Sequence, residues 1–197
     1  MLFADDAEIV GRFVGPQVDD DLAVALGRNI RALAHDDDAV RIFAACAAIA
    51  FGSGMGCLDS IMKLFRAGDH IVCAENVYGG TFRMLHKVFE PIGCTVITAD
   101  FSDLAAVERA VTPETSLVWL ESPTNPRLLV YDIAAISKIA HAKGALVVVD
   151  NTFATPYFQQ PFDLGADLVL HSVTKYLAGH SDLIQGAVIA RDAAVFE

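Results

Sequence analysis

Apolar residues are not spread evenly along this chain. From Phe51 onward, short runs rich in β-branched residues alternate with longer stretches of helical spacing. The runs are Ile71–Ala74, Thr95–Ala99, Leu117–Leu120, Leu146–Val149, Leu168–Leu170 and Ala187–Ala190. Helices are expected between them at about Gly54–Phe65, Thr81–Phe89, Leu104–Ala110 and Ile133–Lys143. Val147-Val148-Val149 is continuous rather than alternating, which fits a strand buried on both faces. This order predicts an α/β fold, a mostly parallel sheet with helices on both faces. Residues 1–50 are expected to form a separate, partly helical N-terminal segment. There Leu22, Leu26, Ile30 and Leu33 follow helical spacing between the acidic runs Asp19–Asp21 and Asp36–Asp38. Residues 51–197 show no repeat and no linker, and read as one domain.

Composition narrows the function classes. Of the 197 residues, 54% are hydrophobic and 20% charged, which excludes disorder for most of the chain. The net charge is −11 and no Lys/Arg cluster occurs, which argues against nucleic acid and anionic membranes as partners. The longest uncharged stretch, Ile42–Leu58, has 17 residues. A bilayer span needs about 20. Asp5, Asp6 and Glu8 stand where a signal peptide would be positive. Cys46, Cys57, Cys73 and Cys94 lack CxxC or Cys/His spacing. They read as reduced core residues of a cytoplasmic protein, with no metal site expected.

In such sheets ligands bind at the carboxyl ends of the strands, so the residues after each run are the candidates. Phe51-Gly52-Ser53-Gly54-Met55-Gly56 opens a helix. Free amides at a helix start bind phosphate, and a tight turn without a ligand is the other reading. Neither GxGxxG nor GxxxxGK[ST] occurs. Ser172 and Thr174 would point the same way on an extended backbone and could bind one phosphate. Lys175 follows in an apolar context. It suits a Schiff-base lysine, which needs desolvation or a nearby cation, or else it is a surface lysine after a strand. Asp150 ends a Val-rich run, where a buried carboxylate needs a partner; a protonated pyridine nitrogen would serve, and a turn or cap role would also explain it. Tyr78 offers a ring for stacking and a hydroxyl for proton transfer, or simple packing. A phosphate cradle, an amine for an aldehyde, an acid for a ring nitrogen and an aromatic face together describe one ligand, pyridoxal phosphate.

Six motifs carry a resemblance. Ser53-Gly54-Met55, Tyr78-Gly79-Gly80-Thr81, Glu121-Ser122-Pro123-Thr124-Asn125-Pro126 and Val149-Asp150-Asn151-Thr152-Phe153-Ala154 are four of them. The others are His171-Ser172-Val173-Thr174-Lys175-Tyr176 and Gly179-His180-Ser181-Asp182. From about Phe51 to Arg191 the chain resembles the trans-sulfuration (Cys/Met metabolism) family of PLP-dependent enzymes. The resemblance implies that residues 51–197 form an aspartate-aminotransferase-like (fold type I) large domain with pyridoxal 5'-phosphate as cofactor. It implies that Lys175 forms the Schiff base, and that Gly54 and Met55 amides with Ser172 and Thr174 hold the phosphate. Asp150 would pair with the pyridine nitrogen and Tyr78 would stack on the ring, with Asn125 and Thr152 near the cofactor. Lys175, Tyr78 and Asp150 would be the catalytic residues.

The implied activity is that of a carbon–sulfur lyase or transferase of the cystathionine γ-lyase or γ-synthase type. It would eliminate or replace groups at Cβ or Cγ of cystathionine- or homoserine-type substrates, in cysteine metabolism or methionine biosynthesis. Gly80 stands where methionine γ-lyases resemble one another in carrying Cys. A homo-oligomer, dimer or tetramer, is implied, with sites built across dimer interfaces. The family's Tyr-x-Arg…Asn-Pro-Thr segment has no counterpart in residues 1–50, and by the resemblance the small C-terminal domain, with the arginine for the substrate carboxylate, is expected to be missing from these 197 residues. The chain is therefore expected to be an incomplete enzyme; the alternative is a truncated, catalytically inactive cofactor-binding or partner-binding relative.

Overall fold

In a computed structural model, which describes residues 47–192, the apolar runs become strands of one seven-stranded sheet. In chain order the elements are β1 (Ala47–Phe51), α1 (Gly54–Met62), β2 (His70–Ala74), α2 (Gly79–Met84), β3 (Thr95–Ala99) and α3 (Leu104–Ala110). Then follow β4 (Thr115–Glu121), α4 (Ile133–His141), β5 (Leu146–Asp150), α5 (Thr155–Phe158), β6 (Leu168–His171) and β7 (Gly186–Ala190). A wider π turn, Leu85–Phe89, prolongs α2. The helical expectation for Leu22–Leu33 and the acidic runs lie outside the described residues.

The strand order is β1-β7-β6-β5-β4-β2-β3. The pairs β2·β3, β2·β4, β4·β5 and β5·β6 are parallel, while β7 runs antiparallel to both β1 and β6. The sheet is thus mostly parallel, as the alternation of elements predicts. Successive residues of a strand face opposite sides. Leu117 through Leu120 and Val147 through Val149 are all buried, so both faces of the central sheet are covered. The helix α1 packs on β6 and β7, while α3 and α4 pack on each other and on β3, β4 and β5.

Helix starts follow local chemistry. Ser53, Asp103 and Asp132 each accept a first-turn backbone N–H, from Gly56, Ala105 and Ala135. Helix α1 ends earlier than expected because its last turn tightens: Leu64 and Phe65 donate to Ile61 and Met62, three residues back. One strand is missing from the sequence reading. Ala47–Phe51 pairs with β7 and crosses the expected division at residue 50. Its Ala-rich run has little β character of its own, and pairing with β7 supplies it. Strands β4, β5 and β6 also run one residue past the apolar runs, onto Glu121, Asp150 and His171.

Candidate active site

The strand ends and the start of α1 surround a cavity of about 770 Å³. It is lined by Gly54 and Met55, by Tyr78 and Asn125, by Asp150 and Thr152, and by Ser172, Thr174 and Lys175. All nine residues singled out in the sequence therefore meet in one place.

One end is built around α1. Ser53 is extended at φ −172° and its Oγ accepts from Gly56 N at 3.1 Å. That cap uses one orphan donor of the first turn and leaves the amides of Gly54 and Met55 for a ligand. Ser172 sits hard against this start: a Cβ on Gly54 would lie 2.8 Å from Ser172 Cβ. Only glycine allows the helix start and Ser172 to approach this closely.

The segment after β6 departs from the expectation of an extended backbone. The strand stops at His171 and the chain winds into turns, with Lys175 N donating to Ser172 O and Gly179 N to Lys175 O. Thr174 lines the cavity, but its hydroxyl is paired with Gln185, donating to the carbonyl at 3.1 Å and accepting from the amide at 2.9 Å. Lys175 also lines the cavity, yet it is exposed rather than desolvated. Its neighbour Tyr176 is likewise exposed and lines the same cavity, so the local sequence does not enclose the amine.

Asp150 ends β5 and is buried, 8% exposed. Burial pushes its carboxyl above the usual range, and the hydrogen bonds from Thr152 pull it back. Tyr78 follows β2, and its ring lies over Gly80 and Met55; a Cβ on Gly80 would come within 2.3 Å of Tyr78 Cε1 and 2.7 Å of Met55 Sδ. In the loop after β4, the Thr124 hydroxyl accepts from Leu129 N and the Ser122 hydroxyl from Tyr131 N. Ser122 and Thr124 thus hold the loop that carries Asn125.

Glu121 is the site residue the sequence reading missed. It stands in one of the six motifs without a role of its own, but it is the last residue of β4, 4% exposed, and lines the cavity. It pairs in register with Asp150, so both carboxyls face the cavity side by side. Burial and then the charge of Asp150 push Glu121 up to about 8, against the pull of the Tyr78 and Asn125 amides. Its Oε2 accepts from Tyr78 N at 2.6 Å. A run of apolar residues ending on an acid was the available signal. His171, next to Ser172, faces the other way, into a second cavity of about 390 Å³ with Val169 and Phe162.

Cys57, Cys73 and Cys94 are free and buried, and burial raises all three thiols. Among the described residues, no group of His, Cys, Asp and Glu is placed to hold a metal, and no helix is long and apolar enough to cross a membrane.

Known proteins place this architecture. Residues 30–197 match the family model described as Cys/Met metabolism PLP-dependent enzyme. The chain is 46% identical over 150 residues to a probable cystathionine gamma-synthase of Herpetosiphon aurantiacus, covering 76% of this chain and 47% of that protein. It is 49% identical over 143 residues to a cystathionine gamma-lyase of Bacillus subtilis, covering 73% and 38%. It is 53% identical over 139 residues to a cystathionine beta-lyase of Lactococcus lactis, covering 71% and 37%. The crystal structure of cystathionine gamma-lyase from Lactobacillus plantarum complexed with L-serine superposes with a TM-score of 0.77 at 48% identity, over 80% of this chain and 41% of that one. The chain thus spans less than half the length of these relatives. With an aminotransferase-like, mostly parallel sheet and this breadth of matching sequence, the chain belongs to the Cys/Met metabolism family of PLP-dependent enzymes.

Proposed function

We propose that this chain is the cofactor-binding part of a trans-sulfuration enzyme that breaks or makes carbon–sulfur bonds in cystathionine- or homoserine-type amino acids. The observation that carries the reading is the meeting of a phosphate cradle, a buried acid, an aromatic ring and an amine in one cavity. The residues fit pyridoxal phosphate. The start of α1 with Ser172 offers donors where only glycine leaves room. Asp150, buried and, among the described residues, hydrogen-bonded only by Thr152, suits a cationic ring nitrogen. Relatives named gamma-synthase, gamma-lyase and beta-lyase match at 46–53% identity, and we favour the γ-lyase or γ-synthase type among them.

Pyridoxal phosphate supplies an electron sink for charge developing at the substrate α-carbon. The chain does the rest. Gly54 and Met55 amides and Ser172 bind the phosphate. Asp150 keeps a proton on the ring nitrogen, and Tyr78 orients the ring from one face. Lys175 would hold the cofactor through Nζ and would serve as the amine that carries a proton to or from the substrate. Asn125 and Thr174 border the same space. Assembly with further copies fits the two aromatic side chains, Tyr157 and Phe158, that stand 81% exposed. A cytoplasmic location fits the three free thiols.

The test is direct. Adding pyridoxal phosphate to the chain is expected to produce the long-wavelength absorbance of a lysine-bound cofactor, and Lys175→Ala is expected to abolish it. A chain that binds without this band, or a band that survives in Lys175→Ala, would overturn the reading. Binding without release of keto acid from cystathionine, and without release of sulfide from homocysteine or cysteine, would instead favour the inactive relative.

A further inference from the structure

We propose that Thr152 is a positioning residue that locks the Asp150 carboxylate to the backbone of Ser172, so that the acid for the ring nitrogen and the cradle for the phosphate keep one fixed spacing. The inference rests on the cofactor-site reading above and concerns a residue that reading leaves without a task.

The ladder between β5 and β6 explains why a tie is needed. Its last paired residues are Asp150 and Leu170. Two residues further on, in the same register, stand Thr152 and Ser172, where the strands have ended. There a side chain replaces the missing rung. Ser172 N donates to Thr152 Oγ1 at 2.8 Å, and Thr152 Oγ1 donates to Asp150 Oδ1 at 2.6 Å. Thr152 N adds a second bond to the same oxygen at 3.0 Å.

The hydrogen count follows. A threonine hydroxyl has one hydrogen, and here it is spent on Asp150. The hydroxyl is therefore a link and not a donor to a ligand. Both bonds fall on Oδ1, and among the described residues Oδ2 receives none, so the carboxylate is turned with one oxygen anchored and the other available. Both bonds also favour the charged form of a buried acid that desolvation works against. Ser172 in turn is wedged against Gly54 at the start of α1. A continuous path thus runs from the helix start through Ser172 and Thr152 to Asp150.

The experiment compares the full chain with Thr152→Val and Thr152→Ser. Each is titrated with pyridoxal phosphate and with the analogue whose ring nitrogen is replaced by carbon, following absorbance and induced circular dichroism. The wild type is expected to prefer pyridoxal phosphate. Thr152→Val keeps the shape of the side chain and is expected to reduce that preference about tenfold, close to 1.4 kcal/mol, mostly through weaker binding of the nitrogen-bearing compound. Thr152→Ser keeps the hydroxyl and is expected to restore it. Equal weakening toward both compounds, an unchanged preference in Thr152→Val, or no rescue by serine would overturn the inference while leaving the cofactor site standing. A wild-type chain that takes up neither compound overturns the cofactor-site reading, and the inference with it.

Discussion

At the scale of single residues, the site is set by how closely groups approach one another. Gly80 is the sharpest case, because any side chain there would meet both the Tyr78 ring and Met55. Gly80→Ala is expected to displace the ring and weaken pyridoxal phosphate binding about tenfold, or about 1.4 kcal/mol, with little change in thermal unfolding of the cofactor-free chain. Fluorescence titration checks this, and unchanged affinity would show that the ring placement is dispensable. The same scale shows what a sequence can reveal. Gly54, Asp150, Ser172 and Lys175 were legible because their chemical types stand next to recognisable strands and a helix start. Glu121 was not, since its role depends on a register opposite Asp150 that the sequence does not show. The pairing of Thr174 with Gln185 depends on the return of the chain 11 residues later. The exposure of Lys175 depends on turns that its own neighbours do not dictate.

At the scale of elements, two parallel strands end on acids in register, and this has a consequence for pH. The Glu121 carboxyl is raised from 4.5 to about 8, first by burial and then by Asp150. Between those values the folded chain holds a proton that the unfolded chain has lost. Stability from this group is complete below 4.5 and is lost as pH rises through about 8. His171 acts in the opposite sense. Burial lowers it from 6.5 to about 4, so its contribution is complete above 6.5 and is lost as pH falls through about 4. Above 6.5 only the acid effect remains of these two. Urea unfolding of the cofactor-free chain is expected to show stability falling from pH 6.5 to pH 8, with a clearly flatter course in Glu121→Gln. Equal slopes would show that Glu121 is not the proton holder. Element positions themselves were mostly readable, because period and apolar content identify interior strands. Strand β1 was not, since its pairing with β7 joins segments far apart in the chain.

At the scale of the whole molecule, the sheet is a single core, and β4 and β5 are its middle. Leu120 is fully buried between neighbouring strands. Leu120→Ala is expected to cost about 2–5 kcal/mol through lost transfer energy and a residual cavity. Denaturant midpoints at constant slope would measure it, and a loss under about 1 kcal/mol would mean that this core closes around the gap. The overall class was readable from the alternation of strands and helices. The antiparallel insertion of β7 was not, because strand direction leaves no mark on the pattern of a short apolar run.

That reversed strand bears on the amine. Since β7 runs back beside β6, the segment 172–185 leaves and re-enters the sheet at the same end of the two strands. Thr174 and Gln185 clasp each other where it returns. Lys175 is mounted one residue beyond that clasp, at the start of the segment that joins β6 to β7. If Lys175 is the amine that the proposed function requires, its backbone N–H and C=O are already engaged, with Ser172 O and Gly179 N, so any travel of its nitrogen would fall to the four methylenes of its own side chain.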